Sequence, residues 1–315
     1  MKLPVFKAVA MTFAFLAANA LDLIKIVWAP VALFLVIMIV VMPGYMQAIM
    51  GASTSTFDPA DPAAGSAEAM AAFSAAAPVF LLIFFASIAW YLVIFTGVLK
   101  LVIHGEKPKL PFYLGFGGDE FRLLGTWVLL FLVFIGVYIG IALLGAAAAF
   151  LAVSSPLLGG IAALIVFVVG MVALCWLMLR MSLATPASIG QRTIGLGPSW
   201  NAAKGNVWRL LGYWLIWGVI FIVIEIVMIA VLMPGYFEAM GAVFTAAGSG
   251  STEGVTAATE EMNEAMMSMY AGTPGSIATM AGGFILGTLA LVIMAVAGGV
   301  AWRLMTETSP EKHFE

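Results

Sequence analysis

Charged residues are scarce in this chain, and their scarcity indicates its class. Only 9% of the 315 residues are charged, while 63% are hydrophobic. A soluble domain carries about 25% charged residues, and a soluble chain of this length cannot bury so much apolar surface. The sequence therefore predicts an all-α membrane protein that crosses the bilayer several times, because a spanning segment must satisfy its backbone hydrogen bonds internally.

Residues that bind metals or form disulfides are also scarce. Cys175 is the only cysteine, and the two histidines, His104 and His313, lie on different segments. A disulfide within the chain is therefore excluded, and no zinc ligand set is present. Because Cys175 lies in an apolar run, we expect it to be a small buried hydrophobic residue.

Motifs that would indicate catalysis or nucleic-acid binding are absent. The sequence contains no HExxH, Walker A or G-x-S-x-G motif, and no basic cluster interleaved with aromatic residues. The glycine-rich stretches 115–118 and 195–197 do not follow strands, so we expect turns there. These absences predict no enzymatic activity, no metal, no cofactor and no nucleic-acid partner.

Apolar runs long enough to cross a bilayer number six, and together they predict one integral membrane domain over residues 1–315. The predicted spans are about 21–43, 77–103, 121–151, 157–184, 208–233 and 277–304.

Lysine and arginine are missing from three of the five connections between these spans. All 13 basic residues lie near the termini or around the connections between spans 2 and 3 and between spans 4 and 5. The positive-inside rule then predicts cytoplasmic termini, with outer loops at about 44–76 and 234–276. Within the second loop, Met262, Met266 and Met269 follow helical spacing. This spacing predicts an amphipathic helix over Glu260–Tyr270; packing of these methionines is favoured over a site for soft Cu(I).

The N-terminal segment has two interpretations. Lys2 and Lys7 precede an apolar stretch ending in Ala18-Asn19-Ala20, which resembles a signal-peptide cleavage site. Another apolar span follows at once, and cleavage would leave Lys25 on the wrong side of the membrane. We therefore expect the segment to be structural.

Two short sequence motifs each occur twice in the chain. Met42-Pro43-Gly44-Tyr45 returns as Met233-Pro234-Gly235-Tyr236 at the end of span 5, and a weaker echo pairs Gly97-Val98 with Gly299-Val300. We expect proline and glycine to end each span, with Tyr45 and Tyr236 at the headgroup level.

The second repeated motif lies at the start of spans 3 and 5. Arg122-Leu123-Leu124-Gly125-Thr126-Trp127 returns as Arg209-Leu210-Leu211-Gly212-Tyr213-Trp214. Arg122, Arg209, Trp127 and Trp214 are therefore expected to anchor spans 3 and 5 at the inner interface. Together the echoes predict an internal repeat, with three helical hairpins arranged in parallel about an axis along the membrane normal.

One ionisable residue lies inside a span. Glu225 follows Arg209 by sixteen residues, roughly 24 Å along a helix, so its carboxyl should face protein or water. Tyr138 occupies the matching position in span 3, and Ser87 and Thr288 lie at similar depth. Either Glu225 forms one hydrogen bond that fixes helix packing, or it handles a proton or a substrate.

Two passages resemble a known group of proteins. They are Gly97–Pro108, followed by the Phe121–Gly125 start of span 3, and Leu179–Ala187, followed by Gly197–Arg209. Both are similar to uncharacterised bacterial six-helix inner-membrane proteins, related to the membrane domain of some glycerophosphodiester phosphodiesterases. The resemblance covers spans 2 to 5 and implies a membrane module, with no catalytic residues carried over.

These observations favour a non-enzymatic multi-pass inner-membrane protein that acts as a lipid- or envelope-associated module or assembly partner. Its partners would be membrane lipids and another membrane protein or a second copy of itself. The alternative is a small transporter that uses Glu225 in a central cavity, and a membrane-embedded enzyme comes third.

Overall fold

The computed structural model describes residues 2–53, 62–194, 196–232, 236–268 and 273–306. Within these ranges the chain forms α-helices and no strand. The helices are α1 (Val5–Ala18), α2 (Ala20–Ser53), α3 (Pro62–His104), α4 (Gly118–Ser154), α5 (Pro156–Met181), α6 (Ala184–Gln191), α7 (Gly197–Ala203), α8 (Val207–Leu232), α9 (Tyr236–Gly248), α10 (Thr252–Ser268) and α11 (Pro274–Thr306).

Six segments among the described residues are long and apolar enough to cross a membrane. They are Ala20–Tyr45, Ser74–His104, Gly118–Ser154, Pro156–Gln191, Val207–Leu232 and Pro274–Thr306. The prediction of an all-α, six-span membrane protein is therefore confirmed.

The chain folds into two compact units. Unit 1 consists of residues 1–26, 92–217 and 292–315, and unit 2 consists of residues 27–91 and 218–291. The sequence of unit 2 contains no lysine or arginine, so every basic residue belongs to the ranges of unit 1.

In unit 1, the ends of α3, α6 and α11 pack against one another. A Cβ atom added to Gly299 would lie 2.7 Å from Val102 Cγ1, and one added to Gly190 would lie 2.5 Å from Trp302 Nε1. His104 Nε2 lies 3.1 Å from the carbonyl oxygen of Ile189, which connects α3 to α6. Small residues are therefore required where these helices meet.

The N-terminal segment is part of the core of unit 1. The backbone N–H of Leu3 donates to Asn206 Oδ1 at 3.0 Å, and the Leu3 carbonyl accepts from Arg209 Nη1 at 3.1 Å. Leu3 is fully buried, as are Ala8 and Thr12 on the inner face of α1. The structural role expected for this segment is met by a separate helix, α1, which the span prediction did not include.

Helices α4 and α5 form a hairpin around Ser155. Pro156 occupies the first turn of α5, and Gly159 lies directly against Ala152, so only a glycine fits there. Little of either helix is buried by the rest of the chain. Cys175 of α5 is exposed, so the prediction that it is buried within the protein is wrong. The reason is that α5 presents most of its circumference to the surroundings.

In unit 2, Phe34, Trp90 and Phe284 pack as a cluster of aromatic rings. The Phe34 ring centroid lies 5.4 Å from that of Trp90 and 5.0 Å from that of Phe284. Gly283 of α11 faces Leu232 of α8, with 3.4 Å between an added Cβ atom and Leu232 Cδ1.

Two expectations about the predicted outer loops need correction. The apolar span ends at Tyr45, close to the expected position, but Pro43 does not end the helix, because α2 continues through it to Ser53. A proline removes one backbone hydrogen bond, and the neighbouring bonds keep the helix continuous. Pro234 and Gly235 lie outside the described residues. Both predicted loops are also largely helical, since they include the ends of α2 and α3 and the whole of α9 and α10. The helix expected over 260–270 is confirmed up to Ser268, where the description of α10 ends.

Candidate functional site

Two of the predicted polar residues within the spans satisfy their own helices. Ser87 Oγ donates to the Ile83 carbonyl at 2.6 Å, and Thr288 Oγ1 donates to the Phe284 carbonyl at 2.8 Å. Each bond joins residues one helical turn apart. Neither hydroxyl proton is therefore available to the Glu225 carboxylate.

The other two, Glu225 and Tyr138, are exposed on the surface of the chain. Tyr138 is 68% exposed, and Glu225 also belongs to the exposed class. Neither makes a hydrogen bond or ion pair with a residue that the structure describes. The described residues therefore do not enclose Glu225 in a central cavity.

The predicted anchors at the inner ends of spans 3 and 5 are two arginines and two tryptophans, and both arginines contact a specific oxygen atom. Arg122 pairs with Asp119 one turn earlier, while Arg209 holds the Leu3 carbonyl. Trp127 packs edge-on against Phe95, with 6.4 Å between ring centroids. Trp214 is half-buried, and its indole N–H has no acceptor within the described ranges.

Tyr45 and Tyr236 are both half-buried. Tyr45 ends the apolar part of α2, and Tyr236 begins α9.

A network of charges at the start of α4 was not predicted from the sequence. Glu120 is 1% exposed and accepts hydrogen bonds from Tyr113 Oη at 2.9 Å and from the Gly117 N–H at 2.8 Å. Lys100 Nζ lies 2.9 Å from Asp119 Oδ2 and 3.8 Å from Glu120 Oε1. Burial raises the pKa of Tyr113 above its usual value, and the nearby Glu120 carboxylate raises it further. Each acid in this network has a partner, which indicates a structural role.

Arg303 is buried in unit 1 although it lies close to the end of α11. It is 2% exposed, and its Nη1 donates to the Val102 carbonyl at 2.9 Å. This contact ties the end of α11 to the end of α3.

Arg180 at the end of α5 is the basic group whose surroundings suggest a ligand. Its guanidinium carbon lies 5.0 Å from the Trp176 ring centroid and 4.6 Å from that of Trp200. The two rings are nearly perpendicular, with centroids 5.2 Å apart. Arg180 Nη1 donates to the Trp200 carbonyl, and Ser199 Oγ donates to the Arg180 carbonyl, so α7 is fastened to the end of α5.

The charge of Arg180 is not neutralised by any acidic residue that the structure describes. Asp119, Glu120 and Glu106 are paired with other groups, and no ion pair involves Arg180. Its Nε is buried without a hydrogen-bond acceptor. The aromatic rings and the end of α5 stabilise part of the positive charge. A guanidinium in this setting can still bind an anionic oxygen, and phosphate is the group whose geometry it matches well.

The residue spacing contained a usable signal for this site. Trp176 precedes Arg180 by one helical turn at the basic end of an apolar span. Such a pair places a ring beside a cation at the membrane interface. The contribution of Trp200 depends on the packing of α7 and has no such signal.

Comparison with models of protein families, with curated proteins and with solved structures produced no match to this chain.

Proposed function

We propose that this protein is a non-enzymatic, lipid-associated module of the bacterial inner membrane that also serves as an assembly partner. The observation that carries the proposal is the Arg180 guanidinium, which lies against the rings of both Trp176 and Trp200 and lacks an acidic partner among the described residues. The ligand class that fits this cation is the phosphate of an anionic phospholipid. Lipid phosphates lie at the depth where a basic residue ends a spanning helix.

The distribution of charge supports cytoplasmic termini. Basic residues are confined to the ranges of unit 1, whereas unit 2 contains none. Exposed aromatic side chains accompany them in unit 1: Phe6 and Trp208 are 82% and 83% exposed. Aromatic rings near basic residues are typical of a membrane–water interface on the cytoplasmic side.

Burial at matching positions supports an internal repeat. Leu123 and Thr126 near the start of α4 are fully buried, and so are Leu210 and Tyr213, which match them in α8. The weaker echo behaves in the same way, because Val98 and Val300, which follow Gly97 and Gly299, are both fully buried. Equivalent residues thus share the same environment, as parallel hairpins require.

The resemblance to the membrane domain of glycerophosphodiester phosphodiesterases accords with a lipid-facing role. The transporter alternative has less support, because Glu225 is exposed and has no partner among the described residues.

Lipid retention tests the proposal. The purified protein in detergent would be mixed with equal amounts of phosphatidylglycerol and phosphatidylcholine, and bound lipid counted by native mass spectrometry. We expect a preference for phosphatidylglycerol and about a tenfold loss of its affinity in Arg180→Gln, the equivalent of about 1.4 kcal/mol.

Lys204→Gln is the matched control, since it removes one exposed positive charge at the end of α7, the helix that is fastened to Arg180. This variant should retain phosphatidylglycerol like the unmodified protein. An equal loss in both variants, or no preference between the two lipids, would contradict a specific site at Arg180. An unchanged melting temperature of both variants would show that their fold is intact.

A further inference from the structure

Glu225 is a polar group on an otherwise apolar surface of α8. Ile222 and Ile226, on either side of it, are 59% and 50% exposed. The carboxyl has no hydrogen bond or ion pair with the described part of the chain. Because a carboxyl in contact with hydrocarbon is costly, its exposure indicates that another protein surface covers it.

Tyr138 is a second exposed polar group, on α4. It lies sixteen residues after Arg122, as Glu225 lies sixteen residues after Arg209, so each is roughly 24 Å along its helix from the basic anchor. In the topology predicted from the basic residues, α4 and α8 both begin at the cytoplasmic side. In two copies inserted alike, the phenol of one copy would therefore meet the carboxyl of the other at the same depth.

The residues beside these two groups are complementary in size. Gly218 lies two turns before Glu225 on the same face of α8, and nothing approaches within 4 Å of a Cβ atom placed there. Phe131 lies two turns before Tyr138 on α4 and is 64% exposed. The Phe131 ring of one copy would therefore lie at the same depth as the open Gly218 of the other. Gly145, two turns after Tyr138, is also open. Small residues permit the close approach of helices in a membrane.

We propose that this protein binds a second copy of itself through the Tyr138 face of α4 and the Glu225 face of α8. The Tyr138 hydroxyl donates to the Glu225 carboxyl, and Phe131 packs over Gly218. The two faces differ, so each copy uses one face for each neighbour, and the contact generates closed rings or chains. This inference identifies the partner in the assembly role proposed above, and its readout is independent of lipid retention.

Disulfide cross-linking tests the proposed register. In a Cys175→Ser background, the double variant Phe131→Cys/Gly218→Cys should form a ladder of covalent oligomers on oxidation in membranes. Each single variant should remain monomeric, because the contact joins two different faces. Two differently tagged single variants expressed together should form only a mixed dimer.

The control pair is Phe131→Cys with Gly212→Cys, since Gly212 is equally open but lies on another side of α8. No ladder is expected from it. A covalent dimer of either single variant would show a symmetric contact and overturn the proposal. Absence of a ladder from the Phe131/Gly218 pair would overturn it as well.

Light scattering in mild detergent provides a second measurement that needs no cysteine. Tyr138→Phe and Glu225→Leu should each weaken association by about threefold to tenfold, the worth of one hydrogen bond between membrane helices. Glu225→Gln keeps an acceptor oxygen and should associate like the unmodified protein. A monomeric unmodified protein, or no effect of either variant, would contradict the proposed contact.

Discussion

At the scale of single residues, several buried polar groups in the described part of unit 1 are held by hydrogen bonds. Glu120 shows this most clearly, because its two oxygens accept from Tyr113 and Gly117 while Lys100 lies nearby. A buried acceptor of this kind stabilises a fold chiefly because its removal leaves several donors without partners.

Glu120→Gln should lower the free energy of unfolding by about 1–3 kcal/mol. The amide keeps one acceptor oxygen but replaces the other with an NH2 group, which then faces a group that is itself a donor. Thermal melting in detergent measures the change, and Glu253→Gln on the exposed surface of α10 is the control, with no change expected. Equal melting of the Glu120 variant and the unmodified protein would show that the network adds no stability.

Tyr113 gives the fold a dependence on alkaline pH. Burial and the Glu120 carboxylate raise its pKa, so the folded state holds the phenol proton more tightly than the unfolded state, where the pKa is about 10. The resulting stability is complete below about pH 10 and is lost as the pH rises through the raised value. The melting temperature of the unmodified protein should fall more steeply above about pH 10 than that of Tyr113→Phe. Parallel curves would refute this assignment.

At the scale of helices, glycines determine how closely the ends of α3 and α11 approach neighbouring segments of unit 1. A Cβ atom at Gly97 would lie 2.7 Å from Ile26 Cγ2, and one at Gly299 would lie equally close to Val102 Cγ1. These glycines occupy matching positions in the proposed repeat, and both face a neighbouring segment of unit 1.

Gly97→Ala and Gly299→Ala should each destabilise the protein by about 1–3 kcal/mol, because the added methyl group forces tightly packed neighbours apart. Gly140→Ala is the control, since no atom lies within 4 Å of a Cβ atom there. Its melting temperature should be unchanged or slightly higher. If all three variants melt alike, the close packing of these helix ends is refuted.

At the scale of the whole molecule, the separation of basic residues predicts a single orientation in the membrane. Ser249 lies in the exposed turn between α9 and α10, and Gln191 ends α6 among the basic residues. Positive charge retains a segment on the cytoplasmic side.

In a Cys175→Ser background, a cysteine at Ser249 should react with a membrane-impermeant thiol reagent in intact cells, whereas a cysteine at Gln191 should react only after lysis. Mass-tagged gel electrophoresis distinguishes the two outcomes. Labelling of Gln191→Cys alone in intact cells would reverse the predicted orientation.

The sequence by itself determined the all-α class, the number of spans and their approximate ends. It did so because the length of an apolar run is a property of the chain read in one dimension. Only the tertiary structure decided that Glu225 and Cys175 face outwards, that Glu120 and Arg303 are buried, and that Trp200 reaches Arg180. A helix that is apolar on every side carries almost no periodic signal, so its rotation about its own axis is set by packing against its neighbours. The same reason explains Pro43, because whether a proline ends or interrupts a helix depends on the contacts that hold the following turn in place.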